Sequence, residues 1–280
     1  MRTVDVAKIR DAVRDACLEA NFVLRKDILR ALRKAVPKET NRRAKGILKS
    51  IIENAGIAKA KRIAICQDTG MVTVFLEIGR EVAFEGGNLA TAINEGVTEA
   101  YLKGYLRKSV VDDPVLRRNT NTNTPAVIHT DIVEGDRVSI SVMPKGFGSE
   151  NKSKAKALNP TATIYDIKEF VLNVVREAGP DACPPLVLGI GIGGTFEKTA
   201  YLAKKAVLRP IGQHNPKKHI KKLEKDLQRD INALGIGPMG LGGKTTALGV
   251  NIETFPTHIA GLIVAVNVSC HATRGAERTL

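Results

Sequence analysis

Apolar residues recur at helical spacing through the first sixty positions. Val6, Ile9, Val13 and Cys17 follow one another at three- and four-residue intervals, with Arg and Asp between them. This spacing predicts an amphipathic helix with Cys17 on its buried stripe, where a cysteine is usually core filling. A second helix is expected over 26–36, ended by Pro37. A third is expected over 40–55, closed by Gly56, because glycine commonly stops a helix.

The pattern then changes. A short apolar approach, 62–65, leads to Cys66, and 72–78 predicts a strand. Small and apolar residues return at helical spacing over 88–106. The segment RRNTNTNTP, 117–125, is a polar loop. Strands are expected at 127–132 and 137–143, paired around the Glu134-Gly135-Asp136 turn. Residues 145–156 are rich in Gly, Ser and Lys and form the expected lobe boundary. Beyond them come a helix over 161–178, a strand over 186–190 entering a glycine loop, and a helix over 197–207. A lysine-dense helix, 217–228, carries Ile220, Leu223 and Leu227 on one side, so its lysines read as a solvated face. A second glycine loop, 235–243, precedes strands at 247–252 and 259–266. This alternation predicts an α/β fold: a helical N-terminal region, then mixed sheets. We expect one domain, 1–280, with possible lobes 1–150 and 151–280 around a shared site.

Composition narrows the function classes. A chain of 280 residues with 43% hydrophobic and 26% charged residues is ordinary globular material. The net charge of +14 is not ordinary, and suits acidic ligands, nucleic acid or simply a lysine-rich surface. Aromatics at 4%, with no Trp, leave little equipment for stacking single-stranded bases. The longest uncharged run, 254–273, contains Pro256, His258, Asn267 and His271, and its apolar centre is too short to span a bilayer. No secretion signal opens the chain, and four cysteines do not make a disulfide scaffold. A reducing, cytoplasmic setting without membrane attachment is expected.

Two glycine loops invite familiar labels and fit neither. Gly189 to Gly194 matches GxGxxG, but no acidic residue stands between Glu197 and Glu224 to bind a ribose. Gly243-Lys244-Thr245 ends like a Walker A motif, yet position 238, where glycine is required, is Pro238. Both loops still offer backbone N–H groups, which cradle carboxylates as readily as phosphates.

The remaining cysteines stand in ICQDTG, DACPPL and VSCHAT, each at the edge of an apolar segment. Pro184 and Pro185 interrupt regular structure after Cys183 and turn its thiol outward. Spacing alone leaves three unrelated buried thiols as an alternative. The local words carry more. Cys66-Gln67-Asp68-Thr69-Gly70, the loop from Lys145 to Lys152 (KGFGSENK) and Cys183-Pro-Pro resemble the iron–sulfur class I fumarases. So do Gly242-Gly-Lys-Thr-Thr246, Pro256-Thr-His258 and Ser269-Cys270. The likeness covers nearly the whole chain in order, extends to the L-tartrate dehydratases of that family, and is closest to the α subunit of its two-subunit form.

That resemblance implies a [4Fe–4S] cluster bound by Cys66, Cys183 and Cys270. Three thiolates on four irons leave one iron open as a Lewis acid. It implies Asp68 as proton donor to the leaving hydroxyl, His258 as an active-site histidine, and Gln67, Arg107 and Gly148 as dicarboxylate contacts. A bidentate pair with Arg107 would orient a carboxylate, although Lys108 stands where the family has Tyr. A turn-capping Asp68, a surface Arg107 and a core His258 are the structural alternatives. Asn119, Thr120 and Asn123 either line the pocket or shape a loop, and His271 receives no role. Because Leu280 lies ten residues after Cys270, the resemblance implies an α subunit that is inactive alone and completed by a separate β subunit, as an α2β2-type assembly. The implied reaction is reversible hydration of fumarate to L-malate, a step of the tricarboxylic acid cycle, with L-tartrate dehydration as the nearest rival. A basic nucleic-acid-binding protein using the 217–225 face, or a structural subunit with vestigial cysteines, are the readings from other classes.

Overall fold

A computed structural model describes all of residues 1–280. The fold is α/β, with helices and mixed sheets, as the alternation predicts. In chain order the elements are β1 (Arg2–Asp5), α1 (Val6–Phe22), α2 (Lys26–Ala35), α3 (Arg42–Lys61), β2 (Met71–Gly79), β3 (Val82–Glu85), α4 (Leu89–Lys103), β4 (Val127–Val133) and β5 (Val138–Lys145). They continue as α5 (Phe147–Glu150), β6 (Lys154–Leu158), α6 (Ile164–Ala178), β7 (Leu186–Ile192), α7 (Phe196–Ala206), α8 (Lys218–Ala233), β8 (Ala247–Thr254), β9 (Leu262–Ser269) and β10 (Ala276–Thr279). None of the helices is long and apolar enough to cross a membrane.

The chain divides into two compact units. The first comprises Met1–Arg25, Ala55–Phe147 and Arg274–Leu280. Its sheet has the order β10-β5-β2-β4. The strand β2 is buried along almost its whole length, so it needs neighbours on both edges and cover on its faces. It takes β4 in parallel and β5 antiparallel. The expected hairpin of β4 with β5 therefore does not form: β2 lies between them. The core joins Ile9, Val13, Cys17 and Ala20 of α1 to Ile93, Val97 and Tyr101 of α4 and to Val74, Leu76, Ile140 and Val142 of the sheet. Asp5 caps α1 by accepting the Ala7 amide at 2.8 Å.

The second unit comprises Lys26–Asn54 and Gly148–Thr273. Its sheet has the order β6-β9-β7-β8, with β7 parallel to β8 and antiparallel to β9. The core gathers Val171 and Val175 of α6, Leu188 and Ile190 of β7, Leu227 and Ile231 of α8, and Ile252, Val264 and Val266. On α8 the residues Ile220, Leu223 and Leu227 are buried while Lys217, Lys218, Lys221, Lys222 and Lys225 are exposed, which is a solvated amphipathic face.

Several local expectations change. The helix α3 runs through Gly56 to Lys61 instead of stopping there, because nothing follows that glycine to break the hydrogen-bond ladder. Ile259 is 93% exposed, and β9 begins only at Leu262. The four-residue strands β1, β3 and β10 were not expected at all, being too short to show an alternating pattern.

Candidate active site

Within the first unit, residues 66–70 connect the end of α3 to the start of β2. Three groups tie this turn down. Asp68 Oδ1 accepts the Gly70 amide at 3.0 Å, and Oδ2 accepts the Phe147 amide at 2.8 Å. The Tyr101 hydroxyl faces the carbonyl oxygens of Thr69 at 2.6 Å and Gly70 at 2.9 Å. Burial pushes that phenol above its ordinary pKa, so it remains a donor. Asn123 donates to Gly70 O at 3.1 Å while accepting the Ser109 amide at 2.7 Å. Gly70 has φ +78°, and a Cβ there would lie 2.5 Å from the Lys145 carbonyl carbon, so only glycine closes the turn.

Arg107 joins this group through its backbone, since Thr69 Oγ1 donates to Arg107 O at 2.8 Å. Its guanidinium is exposed and pairs with no carboxylate. Cys66 is partly exposed, with Sγ 3.3 Å from Gln67 Oε1. Cys66, Gln67, Asp68 and Arg107 are thus brought together. Asn119 and Thr120 shape the loop: Asn119 donates to Lys108 O at 3.0 Å and the Thr120 amide to Val110 O at 2.9 Å. Asn123 reaches the turn itself.

Within the second unit, Cys183 and Cys270 arrive at one end of the sheet. Cys183 precedes β7, Cys270 follows β9, and those antiparallel strands pair Val187 with Ser269. Cys183 sits in left-handed conformation, φ +53°, after a 3-10 turn, with a cis Pro184-Pro185 bond beyond it. Its carbonyl accepts the His271 amide at 3.2 Å and meets His271 Nδ1 at 3.0 Å. A carbonyl can only accept, so Nδ1 carries the proton and Nε2 presents a lone pair. Burial lowers the His271 pKa, which favours this neutral form. Thr273 Oγ1 fixes Cys270 by donating to its carbonyl at 2.7 Å. Gly148 stands beside the Cys183 approach, its Cβ direction 3.7 Å from Asp181 O. His258 lies apart on the exposed turn before β9, where Nδ1 accepts the Ala260 amide at 3.2 Å, and no contact links it to either cysteine.

Both glycine loops have structural uses. A Cβ on Gly189 would lie 2.0 Å from Ala203 O, and one on Gly191 would lie 2.1 Å from Thr199 O, so bare backbone lets α7 rest on β7. In the second loop the anion cradled is the chain's own: buried Glu39 accepts the Lys244 amide at 2.8 Å.

Sequence reasoning missed the positions that hold these groups. Tyr101, Asn21 and Arg274 are buried polar residues whose partners are distant in the chain, and no local motif marks them.

The model of the fumarate hydratase (Fumerase) family matches residues 10–279, spanning both cysteine-bearing regions. The chain belongs to the fumarate hydratase family. Among relatives, it is 44% identical to the putative L(+)-tartrate dehydratase subunit alpha of Methanocaldococcus jannaschii, covering 98% of each chain. It is 32% identical over 251 residues to the L(+)-tartrate dehydratase subunit alpha of Escherichia coli O157:H7, covering 89% of this chain and 82% of that one. The fumarate hydratase and tartrate dehydratase names are both those of hydro-lyases, and the two relatives are named as alpha subunits. None of the four cysteines forms a disulfide; Cys17 is fully buried and its thiol pKa is pushed up by burial, whereas Cys66, Cys183 and Cys270 are partly exposed. Within neither unit do three His, Cys, Asp or Glu side chains gather as a site for a single metal ion.

Proposed function

We propose that this chain is the α subunit of a [4Fe–4S]-dependent hydro-lyase acting on a four-carbon dicarboxylate. The observation that carries the reading is the split among the cysteines: the three in family-like motifs are partly exposed, and the fourth is sealed in the core. A cluster held by Cys66, Cys183 and Cys270 would supply Lewis acidity toward a substrate hydroxyl, because three thiolates leave one iron without a protein ligand.

The chain's own residues do the rest. Asp68, fixed by two main-chain amides, exchanges a proton at the substrate hydroxyl. Arg107 presents an unpaired guanidinium to a carboxylate, and Gln67 beside Cys66 and the backbone at Gly148 contact the remaining polar atoms. His258 stands exposed, open to an acid–base or carboxylate-orienting role. The relatives' designation as subunit alpha supports a separate β subunit that completes the site. Four cysteines without a disulfide among them suit a reducing, cytoplasmic compartment.

Reversible hydration of fumarate to L-malate is the reaction we assign first. L(+)-tartrate dehydration is the second reading, favoured by the name of a relative matched over 98% of its length. Anaerobic purification with the partner subunit, iron and sulfide counting, and turnover on L-malate, fumarate and L(+)-tartrate test both. Iron and sulfide in equal amounts, lost on Cys66→Ser, Cys183→Ser and Cys270→Ser alike, support the cofactor. Absence of iron in the anaerobic complex would overturn it, and the faster substrate decides the reaction.

A further inference from the structure

Arg274 is an anomaly among the charged residues. It is 4% exposed, its Nε has no hydrogen-bond partner, and no carboxylate lies within ion-pair distance. Burying a guanidinium without a counter-ion is unfavourable, and buried arginines are normally paired. Its one hydrogen bond runs from Nη1 to Asn21 Oδ1, at 3.0 Å.

Asn21 is itself fully buried and leads directly to the Cys66 turn. Its side chain donates to Cys17 O at 3.0 Å, and its carbonyl accepts the amide of Ile65, the residue before Cys66, at 2.9 Å. Asn21 and the charge of Arg274 also act on the Tyr101 hydroxyl, which faces the carbonyls of Thr69 and Gly70 at the far end of the turn. On a third side Arg274 Nη2 lies 3.3 Å from where a Cβ of Gly146 would be, and Asp68 Oδ2 lies 3.0 Å from the same point. Gly146 precedes Phe147, whose amide holds Asp68. Entry and flank of the turn thus meet at one buried side chain, whose charge also reaches the hydroxyl that holds the exit.

We infer that Arg274 is a positioning residue that, through Asn21 and Tyr101, holds both ends of the Cys66–Gly70 turn and thereby places Asp68. The structural part concerns the turn alone; only its catalytic consequence rests on the hydro-lyase reading. A residue that merely filled the core would stabilise the whole unit evenly, whereas a positioning residue acts on the turn.

Hydrogen exchange on the full chain separates the two. Arg274→Gln is expected to speed exchange over residues 64–70 by about tenfold while α1, α4 and the β5-β2 ladder keep their protection. Arg274→Lys, which keeps the charge and one donor, is expected to recover part of that protection. An even rise across the unit, or an unchanged turn, would overturn the inference. Should Arg274→Gln not fold, Tyr101→Phe removes a single oxygen and carries the same test: faster exchange confined to 66–70 supports the inference, and none there overturns it. In the cluster-loaded complex, Arg274→Lys is expected to lower kcat with little change in KM, since the side chain does not touch substrate. A raised KM with kcat retained would place it at the substrate instead and overturn the positioning role. Exchange is read without substrate, so failure of the proposed reaction in the unaltered complex would leave the exchange result standing.

Discussion

The amide of Phe147 and the carboxylate of Asp68 meet at 2.8 Å, joining the turn after Cys66 to the end of β5. With the Gly70 amide on the other oxygen, Asp68 has both carboxylate oxygens set by main chain. That arrangement fixes its direction and leaves lone pairs free for a substrate proton. Asp68→Asn keeps the size and the Gly70 contact but removes the acid. Turnover in the cluster-loaded complex is expected to fall by about a hundredfold or more, with stability changed by only ~1 kcal/mol. Steady-state rates and denaturant titration measure the two. Full turnover by the Asn variant would reduce Asp68 to a turn cap.

Two glycine substitutions should move stability in opposite directions. Gly191 touches α7 so closely that a Cβ would lie 2.1 Å from Thr199 O, a backbone atom that cannot swing aside. Gly191→Ala is expected to cost about 3 kcal/mol or more, as overpacking against backbone does. Gly56, inside α3, has no neighbour within 4 Å of its Cβ position. Gly56→Ala is expected to stabilise by about 0.5–1 kcal/mol by restricting the unfolded chain. Urea midpoints read both, and the same sign for the two would refute the packing account.

Helical periodicity identified α1, α2, α6, α7 and α8, and apolar runs identified β2, β7, β8 and much of β9, because each element's burial repeats at its own period. Pairing was less legible. Glu134-Gly135-Asp136 reads as a hairpin turn, and only the double-sided burial of β2 explains why that strand is inserted between β4 and β5. Gly56 reads as a stop signal because its propensity penalty is visible, while the hydrogen bonds that outweigh it are not. Passage from one unit to the other near Arg25 and Ala55 leaves no mark in composition. The motifs around Cys66, Cys183 and Cys270 were readable because each is a contiguous word in the chain. Arg274 and Asn21, 253 residues apart, were not, since a buried polar contact has no local period.

Glu224 tests how the second unit tolerates loss of a buried charge. This carboxylate, 1% exposed, sits on the otherwise lysine-rich α8 and accepts Arg209, His214 Nδ1 at 2.9 Å, and the amides of Asn215 at 3.1 Å and Ile252 at 2.9 Å. It binds the connection from α7 to α8 onto β8. Removing one member of such a set leaves the others unsatisfied, which outweighs the value of the pair itself. Glu224→Ala is expected to destabilise by roughly 3–5 kcal/mol, whereas Lys222→Ala, on the exposed face, is expected to change stability by under about 0.5 kcal/mol. Equal, small effects would mean that the buried network contributes nothing beyond the surface charges.

The start of α6 offers a pH test with a definite sign. Asp166 Oδ2 accepts the Thr163 amide at 2.7 Å and the Thr163 hydroxyl at 2.8 Å, the arrangement of a residue at the third helical position reaching back to its cap. The Thr163 amide and then its hydroxyl hold the Asp166 carboxyl below its ordinary pKa. A carboxyl depressed on folding contributes stability that is complete above its unfolded pKa of about 3.9 and is lost as pH falls through the folded value. Asp166→Asn is therefore expected to lower the unfolding midpoint at neutral pH. The gap from the unaltered chain is expected to close as pH drops below the ordinary carboxylate range, where both chains carry an uncharged group. Thermal melts of the two chains at neutral pH and at successively lower pH measure it. A gap that stayed constant or widened toward low pH would show that the cap acts through shape, with the carboxylate charge playing no part.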